Sequence, residues 1–211
     1  MKMLGKFIER SMWFYPSVQI LAVIYLITKS INSPSLETIG SLIFVLYFLS
    51  PLLYRFISLI FPIQIGRHQF GPEFETSHWM IAHRLQMIYV IFPFIEGVIN
   101  SLPGIYSNWL RLWGSKIGKR VYWGPDVRIL DRTHLTVGDK SFVGGSCLSC
   151  HLATTKADGS IEILFLPIRI GRQAFISAQS NIGPGSKVKD QEFIPILTQM
   201  LGNRRKNLVQ E

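Results

Sequence analysis

In the stretch CLSCH, Cys147, Cys150 and His151 stand at the C-x-x-C-H spacing of a c-type haem attachment site. A tetrahedral zinc site would use the same thiols. The rest of the chain supports neither. A haem held this way needs both thiols and the imidazole displayed together, an oxidising compartment for attachment, and a distal ligand that no residue specifies. Zinc needs two further ligands at suitable spacing, and they are missing. No haem and no metal is therefore expected. With only two cysteines in 211 residues, a disulfide framework is excluded.

The elements that position these side chains follow from a change of periodicity. Ile170, Ile176, Ile182 and Val188 recur every six residues, and Gly171, Ser177 and Gly183 follow the first three. Four places after those three stand Ala174, Ser180 and Ser186. This pattern is neither helical nor simple strand alternation. It is the signature of a hexapeptide β-helix, in which three short strands make one triangular coil and the aliphatics form an internal column. The pattern also runs through Ile117, Trp123 and Ile129, then through Val137 and Val143. It slips by two residues before Val137 and by three between Ser149 and Ile170, where HLATTKADGSIEILFLP reads as a loop ejected from one corner. Counted from Val143, Cys147 falls at an inward corner and Cys150 at the next small-residue position. His151 points outward at a corner, immediately before the loop.

IGKRVYWGPDVRI, LTVGDKSFVGG and IRIGRQAFISAQSNIGPGSKV, together with the lead-in LPGIYSNWLRLWGSKIG, resemble membrane-associated hexapeptide-repeat acyltransferases over residues 102 to 190. The resemblance implies a left-handed parallel β-helix, here of roughly four coils, and acyl-coenzyme A, expected to be acetyl-coenzyme A, as cosubstrate. It also implies a homotrimer with active sites between subunits. A histidine just before such a loop is that family's general base, which makes His151 the catalytic candidate. One coil below lie Thr133 and His134, with Asp131 close by; Asp131 suits the orienting role by charge and His134 by position. Arg172 is expected one coil above His151, and with Arg169, Lys187 and Lys189 it forms a basic strip suited to coenzyme phosphates. The alternative for that strip is a solvated face near anionic lipid. In the family, backbone N–H groups near small corner residues hold the pantetheine, pointing to Ser177 and Ala178.

The N-terminal half has a different character. Two apolar runs, Met12 to Thr28 and Ile39 to Tyr54, lie in expected helices of about 12–31 and 39–60 and can span a bilayer, with Trp13, Tyr15, Tyr54 and Phe61 near their ends. Lys2, Lys6 and Arg10 before the first run, Lys29 between the runs, and Arg55 and Arg67 after the second put both ends in the cytoplasm. A third segment, about 79–99, is interrupted by His83, Arg84, Gln86, Pro93 and Glu96 and reads as an interfacial or half-buried helix lying against the membrane; if it spans, the C-terminal domain changes sides.

The expected organisation is a membrane anchor over 1–100, a β-helix domain over 101–190 on the cytoplasmic side, and a capping segment and basic tail over 191–211, in which a helix from Gln191 to Leu201 caps the last coil. The net charge of +9 suits a membrane surface or a phosphate-rich cosubstrate; lacking a basic helix or aromatic RNA-binding motif, the chain is not expected to bind nucleic acid. The expected function is transfer of an acyl group to a hydroxyl or amine of a membrane lipid, a lipid-linked molecule or another amphiphilic acceptor. The alternatives are a non-catalytic membrane-anchored scaffold and a γ-type carbonic anhydrase relative, the latter lacking zinc ligands.

Overall fold

The structure, a computed structural model, describes residues 8, 10–70 and 78–208. Lys2 and Lys6, used in the orientation argument, lie outside them. The chain divides into two compact units, one holding the helices up to Ile95 and the other holding residues 64–70 and the chain from Glu96 onward. The boundary expected at residue 100 thus moves, and a short N-terminal strand joins the C-terminal unit.

In the helical unit, α1 (Tyr15–Asn32), α2 (Leu36–Tyr47) and α3 (Leu49–Ile60) precede α4 (His78–Ile91). The Ser35 hydroxyl caps α2 by accepting the Thr38 N–H at 3.1 Å. The second apolar run is broken at Phe48 because Pro51 has no N–H to donate to the Tyr47 carbonyl and its ring crowds that group. No single helix among the described residues is long and apolar enough to cross a membrane; α2 and α3 pass together by length and composition, bent by 49°. The third segment is also two helices, α4 and α5 (Pro93–Asn100), divided at Pro93. Trp79, Ile81, Leu85, Ile88 and Tyr89 of α4 are all buried, so α4 is a core helix rather than an interfacial one.

The second unit begins its coils after α6 (Ile105–Leu112). This helix plugs the open end of the first coil: Tyr106, Trp109 and Leu110 are buried, the Trp123 indole N–H donates to Ser107 Oγ at 3.0 Å, and Arg111 Nε donates to the Ile117 carbonyl at 2.8 Å. Three parallel sheets follow. The first face stacks β2 (Lys116–Ile117), β5 (Leu135–Val137), β10 (Ile168–Ile170) and β13 (Lys187–Val188). The second stacks β3 (Tyr122–Trp123), β6 (Phe142–Val143), β11 (Phe175–Ile176) and β14 (Phe193–Ile194). The third stacks β4 (Arg128–Ile129), β7 (Cys147–Leu148), β12 (Asn181–Ile182) and β15 (Thr198–Leu201), with β16 (Arg204–Asn207) added antiparallel at its edge.

This is a three-sided parallel β-helix of four coils, with Ile117, Val137, Ile170 and Val188 aligned inside the first face. Glycine follows several column residues because the next coil leaves no room: a Cβ on Gly138 would lie 2.5 Å from the Arg172 nitrogen, and one on Gly171 would lie 2.4 Å from that of Asp190.

Two expectations are corrected here. The segment after Gln191 is not a helix. Val188, Ile194 and Met200 continue the six-residue column, so the chain makes a fourth coil and closes it with the β15–β16 hairpin. The ejected loop is likewise a hairpin, β8 (His151–Thr155) and β9 (Ile161–Phe165), and β1 (Gly66–Phe70) pairs antiparallel to β9. Arg67 and Lys156 reach Glu162 at 2.7 and 3.0 Å, and both pull its carboxyl below the usual range, the Lys156 hydrogen bond most strongly.

Candidate active site

The corner between the third and first faces carries the site. Between Ile129 and Val137 the chain spends two residues more than one hexad, and the extra length lets residues 130–134 turn inward. Asp131, Arg132 and Thr133 are consequently buried. Arg132 pairs with Glu96, donating from Nε at 3.1 Å and also from Nη2; the Tyr106 hydroxyl donates to the same carboxylate at 2.7 Å. Ser115 Oγ donates to the Arg132 carbonyl at 2.7 Å and accepts the Leu135 N–H at 3.0 Å. These bonds satisfy the polar groups that the insertion takes out of water.

One coil on, β7 ends at Leu148 and the chain turns into β8. His151 Nδ1 lies 2.7 Å from Asp131 Oδ2, and the Cys150 N–H donates to the same oxygen at 2.9 Å. The Asp131 side chain is 1% exposed and that of His151 18%. Ser149 Oγ donates to the His151 carbonyl at 2.8 Å, which fixes the backbone at the start of β8. An imidazole donating Nδ1–H to a buried carboxylate carries its lone pair on Nε2, the tautomer a general base requires.

Of the two candidates for orienting His151, Asp131 makes the contact. The His134 ring instead lies edge-on to Phe165, with centroids 4.9 Å apart, and its Nδ1 meets Thr133 Oγ1 at 2.8 Å. Burial holds His134 below the ordinary imidazole pKa, against an opposing pull from Asp131.

The CLSCH stretch departs from the frame counted from Val143. Leu148, five residues on, fills the column, so Ser146 takes the buried corner and Cys147 points outward on the third face beside Arg128 and Asn181. Cys150 is fully buried, its thiol donating to the His134 carbonyl at 3.6 Å, and burial raises its pKa well above the usual thiol value. The two thiols therefore differ in setting, Cys147 on the outer face and Cys150 fully buried.

A groove of about 490 Å³ opens beside His151, walled by Leu152, Ile182 and Met200 and edged by Arg204, Arg205 and Lys206 of β16. Its lining holds no carboxylate. The expected coenzyme residues lie elsewhere in the chain. Arg172 sits at the corner between the first and second faces, paired with Asp190 at 3.0 Å rather than stacked above His151. Lys187 points outward on the first face, and Ser177 and Ala178 follow β11 at the corner between the second and third faces. Within one chain they do not converge on His151. The sequence shows Arg204, Arg205 and Lys206 as a basic tail but carries no signal that they fold back as β16 beside the groove, and Glu96, Tyr106 and Arg132 carry no periodic signal.

No family model matches the chain, and no curated protein sequence matches it. Among solved structures, a maltose O-acetyltransferase from Clostridium difficile 630 aligns with 53% of this chain and 79% of its own, at 13% identity and a TM-score of 0.26. Serine acetyltransferase isoform 3 from Entamoeba histolytica, in complex with cysteine, aligns with 99% of this chain and 75% of its own, at 12% identity and a TM-score of 0.19.

Proposed function

We propose that this protein is an acyltransferase that moves an acyl group, acetyl in the simplest case, from coenzyme A to a hydroxyl or amine, with His151 as general base. The observation that carries the reading is the 2.7 Å contact between His151 Nδ1 and a carboxylate that is 1% exposed, at the edge of a groove. His151 Nε2 takes the proton from the acceptor as its oxygen or nitrogen attacks the acyl carbon. The C–S bond then breaks, and the same proton leaves with the thiol. Asp131 holds the ring in place and stabilises the imidazolium between the two transfers.

Arg204 and Lys206, flanking an Arg205 that pairs with Glu192 at 2.9 Å, fit the phosphates of coenzyme A. The separation of Arg172, Lys187, Ser177 and Ala178 from His151 within one chain is compatible with a homotrimer, where a neighbouring subunit's residues would complete the site. The reading includes the left-handed sense of the coils, a membrane location with the β-helix on the cytoplasmic side, and a lipid or lipid-linked acceptor. Support for the membrane comes from the apolar surface of α1, where Val18, Leu21, Ile24, Tyr25 and Ile31 are each more than half exposed.

The test is to incubate wild-type protein and His151→Ala with acetyl-labelled coenzyme A and a cell extract, and to follow label into lipid-soluble and water-soluble products. Label moved by the wild type alone is expected, and the phase that holds it identifies the acceptor class. Equal transfer by both would reject His151 as the base.

A further inference from the structure

The three faces of the β-helix differ outside as sharply as they agree inside. On the second face, Tyr122, Phe142, Phe175 and Phe193 stand at paired positions in successive coils. Their rings stack with centroids 4.4, 4.3 and 5.5 Å apart, the first two pairs within 10° of parallel. Tyr122, Phe175 and Phe193 are 51, 40 and 58% exposed, so an apolar strip runs across all four coils in the open. Isolated exposed aromatics need no explanation, but a continuous row does.

Cations flank that strip along one side. Lys116, Arg169 and Lys187 point outward from the first face, and Lys119, Arg120 and Lys140 occupy the corner between the first and second faces; all six are exposed. The three carboxylates at that corner are engaged locally. Asp139 accepts the Lys119 N–H at 2.6 Å, Asp190 accepts the Arg172 N–H at 2.8 Å and pairs with its guanidinium, and Glu192 accepts the Lys189 N–H at 2.7 Å and pairs with Arg205 at 2.9 Å.

We infer that this aromatic strip and its basic flank form a docking surface for an anionic lipid bilayer: the rings enter the interfacial layer while the lysines and arginines meet phosphate headgroups. This does not rest on the acyl-transfer reading: none of these residues lies in the groove beside His151, and only Lys187 is shared with the coenzyme residues assigned to a neighbouring subunit. Two other occupants fit less well. Single-stranded nucleic acid uses aromatic faces as stacking platforms, but here neighbouring rings cover one another's faces and present their edges. A second copy meeting the same face would bring two rows of like charge side by side. An anionic bilayer complements both the apolar strip and the charge.

The experiment places a tryptophan reporter on the full chain, Phe193→Trp on the strip and Asn181→Trp on the third face as control, over the same five native tryptophans. Each protein is mixed with dibrominated phosphatidylcholine vesicles, with and without phosphatidylglycerol. The expected result is loss of the added Phe193→Trp emission only where phosphatidylglycerol is present, with Asn181→Trp unaffected. Charge reversal at Arg169 and Lys187 should restore that emission and weaken its dependence on phosphatidylglycerol by about fivefold for each cation removed, the equivalent of ~1 kcal/mol. Vesicle-bound protein whose Phe193→Trp emission is unquenched would overturn the inference, since attachment would then run through other surfaces. A concentration-dependent emission shift without vesicles would overturn it in favour of a second copy, and a shift on adding single-stranded RNA but not vesicles would do so in favour of nucleic acid.

Discussion

The His151 imidazole and the Asp131 carboxylate, twenty residues apart in the chain, meet at 2.7 Å, Nδ1 to Oδ2. That contact exists because the first coil spends two extra residues at this corner, turning a carboxylate inward beneath the point where the next coil leaves to form the β8–β9 hairpin. The Cys150 N–H on the same oxygen holds the acid in place from a second direction.

Asp131→Asn nearly preserves shape but offers an N–H where Nδ1–H must donate, favouring the wrong imidazole tautomer. The expected outcome is a fall in kcat of about 10²- to 10⁴-fold with the KM for the acyl donor little changed. Steady-state kinetics on folded variant protein checks it.

The ion pair of Arg132 with Glu96 is buried, so removing one partner strands the other. Arg132→Met is expected to cost about 3–5 kcal/mol of unfolding free energy. Replacing the cluster together, as Glu96→Leu, Tyr106→Phe and Arg132→Met, should recover most of that loss, because no uncompensated polar group remains. Denaturant titration separates the two cases. A triple variant as unstable as the single one would show that the ion pair supplies more than mutual compensation.

His134 is held neutral by burial against Phe165, below its ordinary value of 6.5. Since the unfolded chain binds the proton more readily, His134's contribution is fully present above pH 6.5 and declines as the pH falls below it. His134→Gln should lower stability at neutral pH yet flatten its decline on acidification, as measured by unfolding free energy across that range.

Much of this architecture is legible in the sequence. The spacing of Ile170, Ile176 and Ile182 specifies coils, because a large residue every six places with small corners suits no other element. Asp131 and His151 could be brought near one another by coil arithmetic, but choosing Asp131 over His134 required knowing how the two extra residues fold. The misplacement of Cys147 has the same origin: Leu148 enters the column one residue early, and a five-residue step cannot be told from six until the neighbouring coil fixes the register. QEFIPILTQM carries the column at Ile194 and Met200, yet its spacing also suits a helix, and only stacking on β12 decides. The Tyr122–Phe142–Phe175–Phe193 row was hidden because the two insertions make its members unevenly spaced in sequence.

General-base catalysis by His151 is measured by the initial rate of coenzyme A thiol release by purified wild-type protein and His151→Ala, given acetyl-coenzyme A and an acceptor found in the labelling experiment. His151 is half-buried at a corner, so the variant is expected to keep its fold and melting temperature while its rate falls by about 10²- to 10⁴-fold. A folded variant that releases thiol at the wild-type rate would contradict the assignment of His151 as the base.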